Sequence, residues 1–256
     1  MIGIIGAGNI GSAIALRMDQ KILISDAARA RLRALKRRRR ILTSASNIDV
    51  ARRSNIIILA VKPQRIKSVL NEIRPHVKGK LVISIAAGIG TKLIEKILKT
   101  ARVVRVMPNM PLVAGKGMSA IATGRTASKK DLSTVRKVFS RFGEVVTVKE
   151  SSMDAVTAVS GSGPAYYFLF TDLLEKAACA CGLKKDIARQ LAKATFMGAA
   201  ACASATNTSM QDFVKKVASK GGTTEAALKI FKQKGLDRII KQAVKAATTR
   251  SHQLSR

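Results

Sequence analysis

The stretch that decides the fold lies at residues 2–11 and reads IGIIGAGNIG. A short apolar run, Ile2–Ile5, leads directly into Gly6–Gly11, which has the spacing G-x-G-x-x-G. In a strand-to-helix turn, Gly6 permits the tight bend, Gly8 lets the backbone approach a pyrophosphate, and Gly11 lets helix and strand pack closely. The first N–H groups of the helix then face the phosphates. The stretch therefore favours a dinucleotide-binding site over a purely structural glycine turn.

Outward from this motif, short apolar runs alternate with helix-length segments as far as about residue 150. Continuous apolar runs are typical of parallel strands that are buried on both faces. The pattern predicts a doubly wound, Rossmann-type α/β sheet. The predicted strands are Ile2–Ile5, Ile22–Ile24, Ile56–Val61, Leu81–Ala86, Val103–Met107 and Glu144–Val148, and the predicted helices are Ser12–Met18, Ala27–Leu35, Thr91–Lys99 and Lys130–Phe142.

The second part of the chain consists of long segments rich in Ala, Leu and Lys, without strand-like runs. We therefore predict two domains, a dinucleotide-binding domain at residues 1–150 and an all-helical domain at 151–256. Several helices are apolar over more than one stripe, as at Tyr166–Phe170, which favours burial against a partner subunit. The predicted helices are Ala165–Cys181, Lys185–Ala203, Met210–Lys220, Thr224–Lys234 and Arg238–Gln253.

Composition excludes several classes of protein. With 256 residues, 47% hydrophobic and 24% charged, the chain can bury a core of its own. Three cysteines (Cys179, Cys181, Cys202) and two histidines (His76, His252) are too few for a disulfide scaffold, and no metal site is predicted. No apolar run approaches the ~20 residues that span a bilayer, and no basic leader precedes the first strand. We expect a soluble, cytoplasmic protein.

The charge is unusual, because 47 Lys and Arg against 15 Asp and Glu give a net charge of +32. Such an excess attracts anions and raises the question of nucleic-acid binding. Aromatic residues make up only 4% of the chain and Trp is absent, so platforms for base stacking are scarce. The charge is spread along the chain, with its densest run at Lys36–Arg40, which favours solvated faces over a nucleic-acid site.

The choice of coenzyme depends on the residues that end the second predicted strand. Asp26 stands twenty residues after Gly6, where a carboxylate accepts a hydrogen bond from a ribose 2′-OH and favours NAD. Ser25, with Arg29 and Arg31 nearby, instead suits the 2′-phosphate of NADP. Asp26 also has a structural alternative, as the cap of the following helix. The residues alone leave the choice between NAD and NADP open.

Three further segments are candidates for a site. Ala60–Pro63 and Ser84–Gly88 stand at the ends of predicted strands, and their small residues let the backbone lie against a flat ring. In the helical part, Ser219–Glu225 carries a Gly-Gly turn that leads into a helix. Backbone N–H groups in such a turn form an anion-binding concavity, which fits the carboxylate of an amino acid. A helix cap by Thr223 or Thr224 is the alternative, and spacing leaves both open.

Together these segments resemble the pyrroline-5-carboxylate reductases over nearly the whole chain. The most specific strings are Ser160–Tyr166 and Gly221–Thr224, and the other marks are Gly6–Gly8, Asn47, Val61–Pro63, Ser84–Gly88, Arg105–Asn109 and Asp154–Thr157. The resemblance implies a Rossmann domain and a helical dimerisation domain, with a homodimer or a larger assembly of dimers. It also implies an oxidoreductase that converts 1-pyrroline-5-carboxylate to L-proline in the last step of proline biosynthesis, with NADPH as the usual donor and NADH as an alternative.

The resemblance also implies site residues. The coenzyme would lie against Ile5, Gly6, Ala7, Gly8, Asn9, Ile10, Ser25, Asp26, Asn47, Ala60, Val61, Lys62, Pro63, Ile85, Ala86 and Ala87. The substrate carboxylate and ring nitrogen would be held by Ser219, Gly221, Gly222, Thr223 and Thr224, with Thr224 as the catalytic residue. Two positions depart from the family pattern: Lys220 replaces the usual Pro before Gly-Gly, and Asp26-Ala27 replaces a pair such as Asn-Arg that serves the 2′-phosphate.

Two other functions stay open on sequence alone. One is a different Rossmann reductase that acts on another imine or on a hydroxy acid, and the other is a basic nucleic-acid-binding protein without catalysis. Reductases of the first kind commonly use a Lys of the helical domain as proton donor. Here no motif accompanies the Lys candidates, which are Lys176, Lys184, Lys185 and Lys193. A protonated cyclic imine is already electrophilic, so its reduction needs placement more than acid–base residues.

Overall fold

The apolar runs of residues 1–150 form one eight-stranded sheet in the computed structural model, which describes residues 1–254. Alternate side chains of a strand enter opposite cores: Ile58 packs on one face, whereas Ile57 and Leu59 pack on the other. This explains why the strands read as continuous apolar runs. The strands are β1 (Ile2–Ile5), β2 (Ile22–Ser25), β3 (Ile41–Ser44), β4 (Ile56–Leu59), β5 (Leu81–Ser84), β6 (Arg102–Pro108), β7 (Gly117–Thr123) and β8 (Gly143–Thr147).

The strands lie in the order β3-β2-β1-β4-β5-β6-β7-β8, which confirms the doubly wound fold class. The sheet is not wholly parallel, because β6 and β7 pair antiparallel with Val106 opposite Ile121. Two of these strands were not predicted. β7 reads GMSAIAT, with few large apolar side chains, and β3 is a sheet edge in which only Ile41 is buried.

The helices between these strands follow from local signals. Two helices that the sequence did not predict are α3, whose N-cap Ser46 accepts from the Asp49 N–H, and α4, which has Pro63 at its first position. The run Lys36–Arg40 is exposed, as expected of a solvated face. The helices are α1 (Asn9–Arg17), α2 (Arg29–Lys36), α3 (Asn47–Arg53), α4 (Pro63–Ile73), α5 (Thr91–Leu98), α6 (Lys129–Phe139) and α7 (Met153–Val156).

The chain divides into two compact units. Unit 1 comprises Met1–Ser162 together with the chain from Ala246 onward, and unit 2 comprises Gly163–Lys245. The predicted domain boundary near residue 150 stays a prediction. The first division between the units follows a short π-helical turn at Thr157–Gly161, which belongs to unit 1. The remaining helices, which agree closely with prediction, are α8 (Gly163–Ala180), α9 (Lys185–Ala205), α10 (Met210–Val217), α11 (Thr223–Gln233) and α12 (Leu236–Leu254).

Burial within unit 2 is sparse. On α8 and α9 only Gly163, Ala188 and Ala192 are buried, whereas Tyr167 and Leu169 are 65% and 58% exposed. Within residues 1–254, no helix is both long and apolar enough to cross a membrane.

Candidate functional site

The glycine-rich loop between β1 and α1 shows a different requirement at each glycine. Gly6 has a φ of +108°, and a Cβ at this position would lie 2.6 Å from the Ala60 carbonyl oxygen. A Cβ on Gly11 would overlap the Gly6 carbonyl oxygen, whereas a Cβ on Gly8 would meet nothing within 4 Å. Gly6 and Gly11 are therefore required by packing, and Gly8 leaves open space beside the start of α1. That space fits a pyrophosphate, since the first N–H groups of a helix have no partner within it.

Backbone hydrogen bonds bring the predicted coenzyme segments to one edge of the sheet. Gly6 N–H donates to the Ser25 carbonyl (2.8 Å), and Ala60 N–H donates to the Ile5 carbonyl (2.8 Å). Ile85 N–H donates to the last residue of β4 (3.1 Å). The carboxyl ends of β2, β1, β4 and β5 are thus neighbours, at the edge where ligands bind to open α/β sheets.

The carboxylate of Asp26 accepts a backbone hydrogen bond on each of its oxygens. Its Oδ2 accepts from the Ala7 N–H at 2.7 Å, and its Oδ1 accepts from the Ala28 N–H at 2.7 Å. The guanidinium of Arg31 lies 3.5 Å from the same Oδ2. Because Ala28 is the N-cap residue of α2, the structural alternative for Asp26 is partly right: its side chain binds the amide at the start of the helix, from two residues earlier.

Ser25 and Asn47 form a second contact at this edge. The hydroxyl of Ser25, which is fully buried, donates to Asn47 Oδ1 at 2.8 Å. The amide Nδ2 of Asn47 donates in turn to Glu72 Oε2 at 2.8 Å. This chain links the end of β2 to the start of α3 and to α4, so that two residues predicted from the resemblance touch each other directly.

The other predicted coenzyme residues lie in turns or at the first positions of helices. Asn9 and Ile10 open α1, and the exposed Lys62 is the N-cap residue of α4. Ala86 is buried and Ala87 half-buried in the turn after β5.

Sequence reasoning missed an ion pair of a buried arginine near this turn. Arg105 is 3% exposed, and its Nη1 lies 2.9 Å from Glu150 Oε1. The same Oε1 accepts from the N–H of Thr91, the first residue of α5, at 3.2 Å. Arg105 Nε and Nη2 and Glu150 Oε2 are buried without a partner among the described protein groups. An arginine inside the apolar strand VVRVM was the available signal, but its partner stands 45 residues further along.

The predicted anion site of unit 2 is a turn at the start of α11. Gly222 is the N-cap residue, and no side chain caps the helix, so the proposed cap by Thr223 or Thr224 is wrong. Gly222 N–H donates within the turn to the Ser219 carbonyl at 3.0 Å, and Gly221 N–H donates to Glu225 Oε2 at 2.7 Å. Two amides expected to hold a substrate anion are therefore engaged inside the unit, and those of Thr223 and Thr224 remain as the first N–H groups of the helix.

Two cavities lie away from these residues. One, of about 690 Å³, is lined by Arg17, Asp19, Lys137, Ser140 and Arg141. The other, of about 620 Å³, includes Ile2 and Ile56, the first residues of β1 and β4, and so lies at the opposite edge of the sheet. Neither contains a predicted site residue.

A glycine-rich loop on a doubly wound sheet, followed by a helical unit, is typical of dinucleotide-binding proteins of the Rossmann class. Two family models match the chain: "NADP oxidoreductase coenzyme F420-dependent" at residues 1–88 and "Pyrroline-5-carboxylate reductase dimerisation" at residues 150–254. The pyrroline-5-carboxylate reductase of a Synechocystis strain is 36% identical, over 100% of this chain and 98% of the relative.

Solved structures agree with these relatives. A pyrroline-5-carboxylate reductase from Coxiella burnetii superposes with a TM-score of 0.92 at 34% identity, covering 100% of this chain and 98% of the other. The Plasmodium falciparum pyrroline carboxylate reductase, solved with NADP bound, has a TM-score of 0.88 at 28% identity with the same coverage. This chain belongs to the pyrroline-5-carboxylate reductase family, as its sequence motifs predict.

Proposed function

We propose that this protein reduces 1-pyrroline-5-carboxylate to L-proline, with NADPH or NADH as donor. This is an oxidoreductase reaction at a CH–NH group and would serve proline biosynthesis. The observation that carries the proposal is the open space at Gly8, between the end of β1 and the start of α1, in a chain related over its full length to named reductases.

The coenzyme would be bound by the carboxyl edge of the sheet in unit 1. Gly8 and the first amides of α1 would receive the pyrophosphate, because no Cβ blocks their approach. The segments Ala60–Pro63 and Ile85–Ala87 would lie against the nicotinamide half, and Ser25 and Asn47 would lie near the adenosine half. When bound, the reduced nicotinamide supplies the two electrons and the hydrogen that the imine carbon receives.

The substrate carboxylate would be bound in unit 2 by the amides of Thr223 and Thr224. Both lie in the first turn of α11, where backbone N–H groups and the helix dipole favour an anion. The exposed Lys220 adds a positive charge to the same turn. Glu225 binds Gly221 N–H and fixes the turn, so we assign it a structural role and assign substrate binding to its neighbours.

The hydroxyl of Thr224 would accept or donate a hydrogen bond at the ring nitrogen and orient the ring. A Thr hydroxyl is too weak an acid to act as an efficient proton donor at neutral pH, so its role is orientation. The protein needs little further chemistry, because a protonated imine already attracts electrons at its carbon. Holding the ring in one orientation is what lowers the barrier.

We also propose that unit 2 forms a homodimer or a larger assembly of dimers. The support is the match of residues 150–254 to a dimerisation model and the exposure of Tyr167, Leu169 and Leu173 on α8. Exposed apolar surface of this extent is typical of an interface. A cytoplasmic location stays a prediction from the sequence, and nucleic-acid binding has no support beyond the net charge.

The test of the proposed function follows the absorbance of NADH and of NADPH, separately, on addition of 1-pyrroline-5-carboxylate. We expect oxidation of at least one coenzyme with formation of proline. Thr224→Ala should lower turnover by about tenfold, the cost of one hydrogen bond, and should leave coenzyme binding unchanged. Thr224→Ser, which keeps the hydroxyl, is the matched control and should retain activity. No oxidation of either coenzyme would refute the proposal, and unchanged kinetics in Thr224→Ala would remove Thr224 from it.

A further inference from the structure

The carboxylate of Asp26 is already engaged by the protein on both of its oxygens. Oδ2 accepts from Ala7 N–H, inside the glycine-rich loop, and Oδ1 accepts from Ala28 N–H, just before α2, both at 2.7 Å. The side chain is only 10% exposed. We propose that Asp26 is a positioning residue that holds the glycine-rich loop in its binding conformation, and that it does not select NADH over NADPH. This inference rests on the coenzyme site of the proposed function.

The loop needs such a contact because its backbone is constrained at the neighbouring residue. Gly6 adopts a φ of +108° and packs against the backbone of Ala60. Ala7 lies beyond the end of β1 at Ile5, and its amide binds Asp26. A carboxylate is a strong acceptor for a backbone N–H. By binding the Ala7 N–H, Asp26 fixes the residue between Gly6 and Gly8. It therefore also fixes the position of Gly8 and of the open space beside it.

The charges around Asp26 favour a 2′-phosphate. Arg31 Nη1 lies 3.5 Å from Asp26 Oδ2, so a positive charge offsets the carboxylate that would otherwise repel a phosphate. The Arg31 side chain is 58% exposed, and a guanidinium carries five N–H donors, so donors beyond the Asp26 contact are reachable from solvent. Over Arg29–Lys36, α2 carries no acidic residue. We therefore assign Arg31 to the 2′-phosphate and expect NADPH to bind more tightly than NADH.

The test measures binding of NADPH and NADH by fluorescence titration of the full chain, without imine. Asp26→Ala should weaken both coenzymes by about tenfold or more, with less than about tenfold change in their ratio. Asp26→Asn has one acceptor oxygen, can hold one of the two amides, and should show a smaller loss for both. Thermal unfolding of each variant establishes that the chain is folded, and Asp26→Asn keeps the test open should Asp26→Ala fail to fold.

Arg31→Ala should weaken NADPH by about tenfold, the loss of one charge-assisted contact, and should change NADH by less than about twofold. The matched control is Arg33→Ala, which removes the same charge from the same helix at an exposed position and should leave both affinities unchanged.

Two results would overturn the inference. If Asp26→Ala tightened NADPH binding while weakening NADH binding, or changed the ratio of the two affinities by about tenfold or more, Asp26 would determine coenzyme specificity. If it left both affinities unchanged, Asp26 would not position the loop. Equal effects of Arg31→Ala on both coenzymes would remove the phosphate assignment. A chain that binds both coenzymes but does not oxidise them with the imine would refute the proposed function and leave this result standing.

Discussion

Unit 1 and unit 2 differ in where their apolar side chains find partners. In unit 1, residues such as Ile4, Ile58 and Val104 are fully buried within the unit. In unit 2, α8 presents consecutive large apolar residues, Tyr166–Phe170, each of which is 38% to 65% exposed. Both units are built from similar proportions of apolar residues, so composition alone does not show whether a unit buries its apolar side chains by itself. The difference lies in packing: the sheet of unit 1 has an apolar core on each of its faces, whereas α8 buries only Gly163.

The largest expected effect comes from breaking the ion pair of the buried Arg105 in unit 1. Glu150→Ala leaves the buried Arg105 without a counter-charge and should lower the free energy of unfolding by about 3 kcal/mol, the lower end for buried pairs, because the Glu150 side chain is 33% exposed. The control is Arg53→Ala, which breaks a pair with Asp49 at 3.4 Å whose side chains are 50% and 37% exposed, and it should cost about 1 kcal/mol or less. Denaturant unfolding measures both. Equal costs would mean that unit 1 does not depend on its buried charges.

A smaller effect is expected at the apolar surface of unit 2. Leu169→Asp places a charge on the exposed face of α8 and should weaken self-association by about hundredfold, from the loss of one buried Leu. Leu42→Asp, at a position that is 40% exposed in unit 1, is the control and should leave association unchanged. Sedimentation velocity over a range of concentrations separates the two. A wild-type chain that stays monomeric would remove the contrast between the units.

The glycine-rich loop offers a test inside unit 1 that separates packing from binding. Gly11→Ala should lower the free energy of unfolding by about 1–3 kcal/mol, because the added Cβ overlaps the Gly6 carbonyl. Gly8→Ala adds the same methyl group into open space and should cost less than about 1 kcal/mol, while coenzyme binding is lost. Thermal unfolding and a coenzyme titration on both variants give the comparison. Retained binding in Gly8→Ala would argue against a pyrophosphate at this position.

The smallest effect concerns the start of α10 in unit 2. Hydrogen bonds from the Ser209 hydroxyl and then from Lys215 lower the pKa of Asp212. Because the folded-state pKa lies below that of the unfolded chain, the stabilisation is present above the unfolded value and is lost as the pH falls through the folded one. In Ser209→Ala the pKa of Asp212 should rise toward its ordinary value, as an NMR titration of the carboxyl group would show. No rise would mean that Lys215 alone sets it.

The sequence predicts best where one local signal decides the structure. The Ile- and Val-rich strands and the glycine spacing are of this kind, because burial and turn geometry depend on adjacent residues. β7 was missed since its side chains are small, and Glu150 was missed since it meets Arg105 only through the tertiary fold. Asp26 shows the remaining difficulty: its position in the chain suits a ribose contact, whereas the structure shows its oxygens bound to two backbone amides.

The part of α12 from Ala246 onward belongs to unit 1, and this has a consequence for synthesis of the protein on the ribosome. The Ser251 hydroxyl donates to Asp154 Oδ1 at 2.7 Å, and Leu254 packs against Gly88, which has a φ of +74°. Both contacts join residues on either side of unit 2 in the chain. At the usual ~5–20 residues per second, a ribosome needs several seconds to more than ten to add unit 2 before these contacts can form. During that interval the turn after β5 lacks its contact with α12. A nascent chain would therefore complete unit 1 only after unit 2 has been synthesised.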